Sequence, residues 1–185
     1  MKEVHMDPLG ILAKYIPADS KGYDVLLTHS TCVRDKALAL VRNIPDVDTE
    51  FIAEAAMLHD IGSIFCKAPQ IGFHGKERYI RHGILGKDLL EKESLPRHAR
   101  VCERHIGAGL TEQEIVDQQL PLPHRDMLPE TIEEKAICFA DCFFSKDPDH
   151  LTRERTCAEA QAKIARFGKA GERFDALARL FGVNR

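Results

Sequence analysis

Apolar residues recur at three- and four-residue steps along most of this chain, and two-residue alternation is nearly absent. That period places apolar side chains on one stripe of a helix, so it predicts an all-α protein. The lack of Trp and an aromatic content of 6% weaken a β reading further. Helices are expected over about 9–16, 23–43 and 49–61. Pro17 and Pro45 stop the first two, Asp48 caps the third, and Gly62 ends it in a left-handed conformation. Residues 63–75 contain Pro69, Gly72 and Gly75 and read as a loop. Helix resumes from about Lys76 to Ser94, and again from Pro96 to near Gly107. Thr111–Glu114 and Thr131–Glu134 both fit the capping box, and the proline-rich LPLPHRDMLP between them is not a helix interior. Asp147-Pro148 reads as a cap and first helical residue. Two C-terminal helices then meet at Gly168 or Gly171, for roughly seven to ten helices by this helical-period reading.

Several of the apolar stripes carry a polar residue that needs a reason to be there. In the long helix His29 falls in step with Leu26, Val33, Ala37 and Leu40. His59 follows Ile52, Ala55 and Ala56, and Asp60 comes next. His82 shares a face with Leu85 and Leu89, His105 lies four after Val101, and Asp141 lies between Ile137 and Phe144. A single buried His is ordinarily a hydrogen-bonded core residue. Five such positions supplying six groups point instead to a shared cause, because metal binding offsets the desolvation of each. Four imidazoles and two carboxylates exceed the needs of one tetrahedral zinc. They fit two divalent ions with Asp60 bridging, and the mixed N/O set suits Fe, Mn, Zn, Co or Ni without choosing among them.

Composition sets the outer limits. With 185 residues, 44% of them hydrophobic, the chain has enough for one sizeable core, organised as a single domain with a helical appendage. A net charge of −3 excludes a nucleic-acid binder that works by bulk electrostatics. The excess of Arg and Lys after His150 reads as solvated helix surface. No apolar run of about 18 residues exists, so no membrane span is expected. The segment MKEVHMDPLG lacks a secretory apolar core, and the expected location is cytoplasmic. The six cysteines form no C-x-x-C pair and read as reduced fillers. Glu103, Lys135 and His98 read as helix-surface residues, and His5 and His150 as incidental.

The ordered series His29, His59-Asp60, His82, His105 and Asp141 resembles the HD-domain superfamily of metal-dependent phosphohydrolases, and His59 to Gly62 spells its HDIG signature. RHGILGKDLL, ERHIGAGLT and MLPETIEEKAICFADC are similar to a branch of small HDIG proteins. The resemblance implies an all-α helical bundle, with an N-terminal helical segment over 1–22, the HD domain over 23–146, and C-terminal helices over 147–185 packing on the same domain. It also implies that His29, His59, Asp60 and Asp141 hold one metal, and that His82 and His105, with bridging Asp60, hold a second. His59 and Asp60 would then be the catalytic pair.

One departure concerns phosphate binding. Many two-metal relatives carry Lys directly after this motif, whereas this chain has Ser63. Lys67, Arg34, Arg81 and Arg104 are candidate replacements. His74, in the loop FHGK, and His124, in the proline-rich loop, are further candidate substrate contacts. The resemblance implies a hydrolase that cleaves a phosphate ester or anhydride of a nucleotide or another small phosphorylated metabolite through a metal-bridging hydroxide. Gly107-Ala108-Gly109 replaces the Gly-Tyr-Pro of relatives that act on cyclic dinucleotides, so those are disfavoured. Two alternatives stay open on the same scaffold: a di-iron oxygenase and a non-catalytic nucleotide-binding module.

Overall fold

The computed structural model describes residues 6–183, which contain nine α-helices and one two-stranded ribbon. Helix α1 spans Pro8–Tyr15, and the Asp7 carboxylate accepts from the Leu9 N–H at its start. Helix α2 spans Lys21–Val41 and is capped by Ser20. Helix α3 spans Thr49–Leu58, and Asp48 accepts from the Phe51 N–H, a cap that typically contributes about 1 kcal/mol. Helices α4 (His82–Lys92) and α5 (Pro96–Arg104) follow, with Pro96 in the first turn of α5. The remaining helices are α6 (Glu112–Asp117), α7 (Ile132–Asp141), α8 (Cys157–Ile164) and α9 (Ala170–Leu180). None is long and apolar enough to cross a membrane.

Two main apolar clusters fill the interior. One joins Val33 and Ala37 of α2, Ile52 and Ala55 of α3, and Phe139 of α7 to Ile164 and Phe174 of the last two helices. The other joins Leu12 of α1, Leu26 of α2, Leu58 of α3, Leu90 of α4 and Cys102 of α5. Helices α2, α3 and α5 each contribute to both clusters. A polar residue between the two sets on α2, such as His29, therefore lies at the seam of the two cores.

Several local expectations change. Residues 63–75 are not a plain loop. A 3₁₀ turn over Ile61–Phe65 leads into β1 (Lys67–Ala68), which pairs antiparallel with β2 (Phe73–His74), Lys67 opposite His74. Gly72, at φ +87°, supplies the left-handed residue between the strands. Gly62 has no positive φ. It is needed for a different reason: a Cβ there would lie 2.0 Å from the His82 carbonyl oxygen and 2.3 Å from the Gly86 nitrogen. Only a bare Cα lets the turn after His59 pack onto α4. The helix expected from Lys76 begins at His82, after a 3₁₀ turn over Tyr79–Arg81.

Thr111 and Glu114 form the full capping box, but at Thr131 only half of it forms. Glu134 there accepts instead from Arg104 and from the Glu130 N–H. Asp147 caps and Pro148 opens a helical turn, which is a single 3₁₀ turn over Pro148–His150. Glu103 and His98 are buried rather than on the helix surface. Arg125 covers Glu103, and His98 packs edge-on against Phe51 with its Nε2 3.3 Å from Glu54. Their helix, α5, lies against both α3 and α7, which buries faces that periodicity on one helix cannot foresee. All six cysteines are free; Cys32 is half-buried and the others are buried. His5 lies outside the described residues.

Candidate metal centre

The local chain prepares three of the imidazoles before any tertiary contact. The Nδ1 atoms of His59, His82 and His105 lie 2.6, 2.7 and 2.8 Å from the carbonyl oxygens of Ala56, Tyr79 and Cys102, each three residues earlier. Since a carbonyl only accepts, each Nδ1 carries the proton and each Nε2 is left with a lone pair when the ring is neutral. His59 and His105 achieve this as the first residues past α3 and α5, and His82 as the first residue of α4.

The fold then brings the Nε2 atoms to Asp60. His59 Nε2 lies 2.9 Å and His29 Nε2 3.2 Å from Asp60 Oδ2. Asp141 Oδ1 lies 2.9 Å from His29 Nε2 and 3.6 Å from His59 Nε2. On the other side, His82 and His105 place Nε2 3.2 and 3.5 Å from Asp60 Oδ1, and 3.0 Å from each other. The six groups thus form two sets, His29–His59–Asp60–Asp141 and Asp60–His82–His105, with all ligand atoms in each set within 4.8 Å of one another. Asp60 offers one oxygen to each set. His59 Nε2 and both Asp60 oxygens are buried without a well-directed hydrogen bond, a costly arrangement unless a cation satisfies them. The donors are imidazole nitrogens and carboxylate oxygens, compatible with divalent metal binding.

The electrostatics differ across the cluster. Burial opposes a charged His59, but the adjacent Asp60 and Asp141 prevail and push it up to about 10. Burial also opposes ionised Asp60 and Asp141, yet His59 and Lys146 hold Asp60, and Lys146 and His29 hold Asp141, well below the usual carboxylate range. His105 behaves oppositely: burial takes it down to about 4.

Lys146 is the residue that the sequence reading missed. Its Nζ lies 2.7 Å from Asp60 Oδ2, and burial is outweighed by Asp60, so its pKa is raised. It brings to the cluster the cation that Ser63 lacks. The available signal was its position five residues after Asp141, in the segment that leaves α7. The seven candidate substrate contacts are placed differently. Ser63 is buried, with its Oγ 3.4 Å from the Tyr79 hydroxyl, and Tyr79 stacks on His82. Arg34 pairs with Asp35, Arg81 with Glu77, and Arg104 with Glu130 and Glu134. Lys67, His74 and His124 are exposed, and none of the seven side chains lines the cavity beside the cluster. That cavity has a volume of about 810 Å³ and is lined by His82, Asp141 and Lys146 together with apolar residues such as Ile106 and Phe144.

Residues 26–144 match the HD domain family, more than half of the chain. The chain belongs to the HD-domain family. Among curated proteins it is 36% identical over 148 residues to a tRNA (cytidine(56)-2'-O)-methyltransferase of Picrophilus torridus, covering 75% of this chain and 39% of that protein. It is 33% identical over 125 residues to the protein of the same name from Thermoplasma volcanium, covering 67% of this chain and 33% of that protein. An uncharacterized protein of Methanocaldococcus jannaschii is 38% identical over 106 residues, 57% of this chain and 55% of its own length. No solved structure matches the chain. The chain spans between 33% and 39% of the length of the two methyltransferases.

These relatives correct the expected activity. Their names describe an RNA-modifying enzyme, which overturns the expectation of a hydrolase for small phosphorylated metabolites. They also overturn the exclusion of nucleic acid. That exclusion rested on net charge, which averages over the whole surface and says nothing of a local basic patch.

Proposed function

We propose that this chain is a metal-binding HD module that serves tRNA modification, with a two-ion centre that engages the ribose-phosphate of a tRNA. His29, His59, Asp60 and Asp141 would hold one divalent ion, and His82 and His105, with the second oxygen of Asp60, the other. The observation that carries this reading is the shared Asp60, with one oxygen toward each imidazole set and neither well hydrogen-bonded. Bound divalent ions would supply Lewis-acid charge to phosphate or ribose oxygens. The protein's own part is to fix the three imidazole tautomers through backbone carbonyls and to exclude water from the seam between two apolar cores. Lys146, beside Asp60 and Asp141 at the cavity wall, contributes a fixed positive charge for an RNA phosphate. Methyl transfer is not assigned to the cluster, since its donors are those of a cation site. A cytoplasmic setting follows from the link to tRNA.

The test is metal analysis of the purified chain, followed by binding of labelled tRNA with and without a chelator. About two equivalents of metal are expected, with tRNA binding that weakens on chelation and returns with added Mn²⁺ or Zn²⁺. Protein that retains no divalent ion, or that does not bind tRNA when loaded, would end this reading.

A further inference from the structure

The turn that joins α8 to α9 carries Phe167, which is 51% exposed and flanked by Arg166 and Lys169. A single exposed aromatic is unremarkable by itself. Its surroundings are what matter. Phe167, which is exposed, and Lys163 line the same cavity as His82, Asp141 and Lys146. Among the described residues, no acidic side chain forms an ion pair with Lys163, Arg166 or Lys169, whereas Arg153, Arg155 and Arg173 on the same C-terminal segment are bonded to Glu159, the Phe144 carbonyl and Glu114. Lys163 is held below its ordinary pKa chiefly by burial, with repulsion from Arg155 adding to it and Asp141 opposing it.

Uncommitted cations around an exposed aromatic face match the chemistry of an unpaired nucleic-acid strand. Its phosphates need positive charge, and its unstacked bases gain from an aromatic surface. A duplex offers no free base face to Phe167, and a cavity of about 810 Å³ admits a group of nucleotide size rather than a helix. Resting on the tRNA reading above, we propose that Phe167, Lys163, Arg166 and Lys169 form a landing site for an unpaired RNA segment. One base stacks on Phe167, and the neighbouring nucleotide enters the cavity toward Lys146 and the metal cluster.

The test uses the metal-loaded full chain and fluorescence anisotropy with a labelled single-stranded oligoribonucleotide, a duplex of the same sequence, and tRNA. Phe167→Ala should weaken single-strand binding by about 5- to 150-fold with little change in salt dependence, and Phe167→Trp should restore it. Replacing Lys163, Arg166 and Lys169 together by Ala should reduce the slope of log affinity against log salt by about 2. Metal content and melting temperature should stay at the wild-type values in all of these variants. The proposal is overturned if Phe167→Ala binds the single strand as wild type does, or if the duplex binds better than the single strand. It is equally overturned if the wild-type chain dimerises through this turn and Phe167→Ala makes it monomeric. Undiminished tRNA binding by Phe167→Ala sinks this inference alone, whereas a wild-type chain that binds no tRNA sinks the broader reading.

Discussion

The two sets of groups around Asp60 are built in different ways. His82 and His105 come from consecutive helices, 23 residues apart, and both rings are oriented by their own backbone. His29 and Asp141 are 112 residues apart, come from α2 and the end of α7, and meet only through tertiary packing. His29 Nδ1 has no hydrogen-bond partner, so the polar contacts that orient its ring are those of Nε2 with Asp60 and Asp141. The first set is carboxylate-rich and faces Lys146, whereas the second has two imidazoles and a single carboxylate oxygen. Local chain geometry thus pre-orients both rings of the second set. The first is assembled from distant parts and holds charge of both signs.

The largest effect is expected where the two sets meet. Asp60→Ala should remove bound metal from both, taking the content measured by plasma mass spectrometry from about two equivalents to near zero. Retention of a full equivalent would show that Asp60 is not shared. Gly62→Ala comes next, because its Cβ would strike backbone atoms of α4 rather than a movable side chain. We expect a loss of about 3 kcal/mol and a melting temperature lower by roughly 6–12 °C. The histidines of α4 should be disturbed more than His29, as NMR of the imidazole resonances would report.

Single ligand deletions sharpen the contrast further. His105→Ala leaves the second set with two residues and should abolish its ion. His29→Ala leaves three donors and should only weaken the first ion, by more than the roughly 10- to 100-fold that follows loss of an outer hydrogen-bond partner. Equal losses in calorimetric titrations would erase the distinction. The smallest effect is a proton count. In chelated protein at pH 7, His59, with its pKa pushed up to about 10, carries a proton that a metal must displace, and His105, taken down to about 4, carries none on Nε2. Metal binding should therefore release the His59 proton from the first set, whereas His105 has none to give in the second, so the first set should release more, measured by calorimetry in buffers of different ionisation enthalpy. Equal release from both sets would contradict the charge assignment.

The parts legible in the sequence are those with a local cause. Period and caps expose α2 and α3 because side-chain direction and N–H capping are decided within a few residues. The misplacement of His29, His59, His82, His105 and Asp141 on apolar stripes was visible for the same reason. Lys146 was not, because it lies beyond the end of α7, where no period marks a side chain as buried. His98 and Glu103 looked solvated because the elements that cover them come from elsewhere in the chain. Composition makes the basic segment after His150 read as solvated helix surface, yet some of its cations are bonded within the fold and others lie around Phe167.

By itself the sequence determined an all-α chain, its HD-domain membership and six polar groups on apolar stripes whose chemistry is compatible with divalent metal binding, since helix period and residue chemistry are carried one position at a time. Only the tertiary structure decided that one carboxylate faces two imidazole sets, that a glycine is required by contact rather than by φ, and that Lys146 reaches the cluster. Each of these depends on which helices pack together, and long-range contacts of that kind leave no periodic trace in the order of residues.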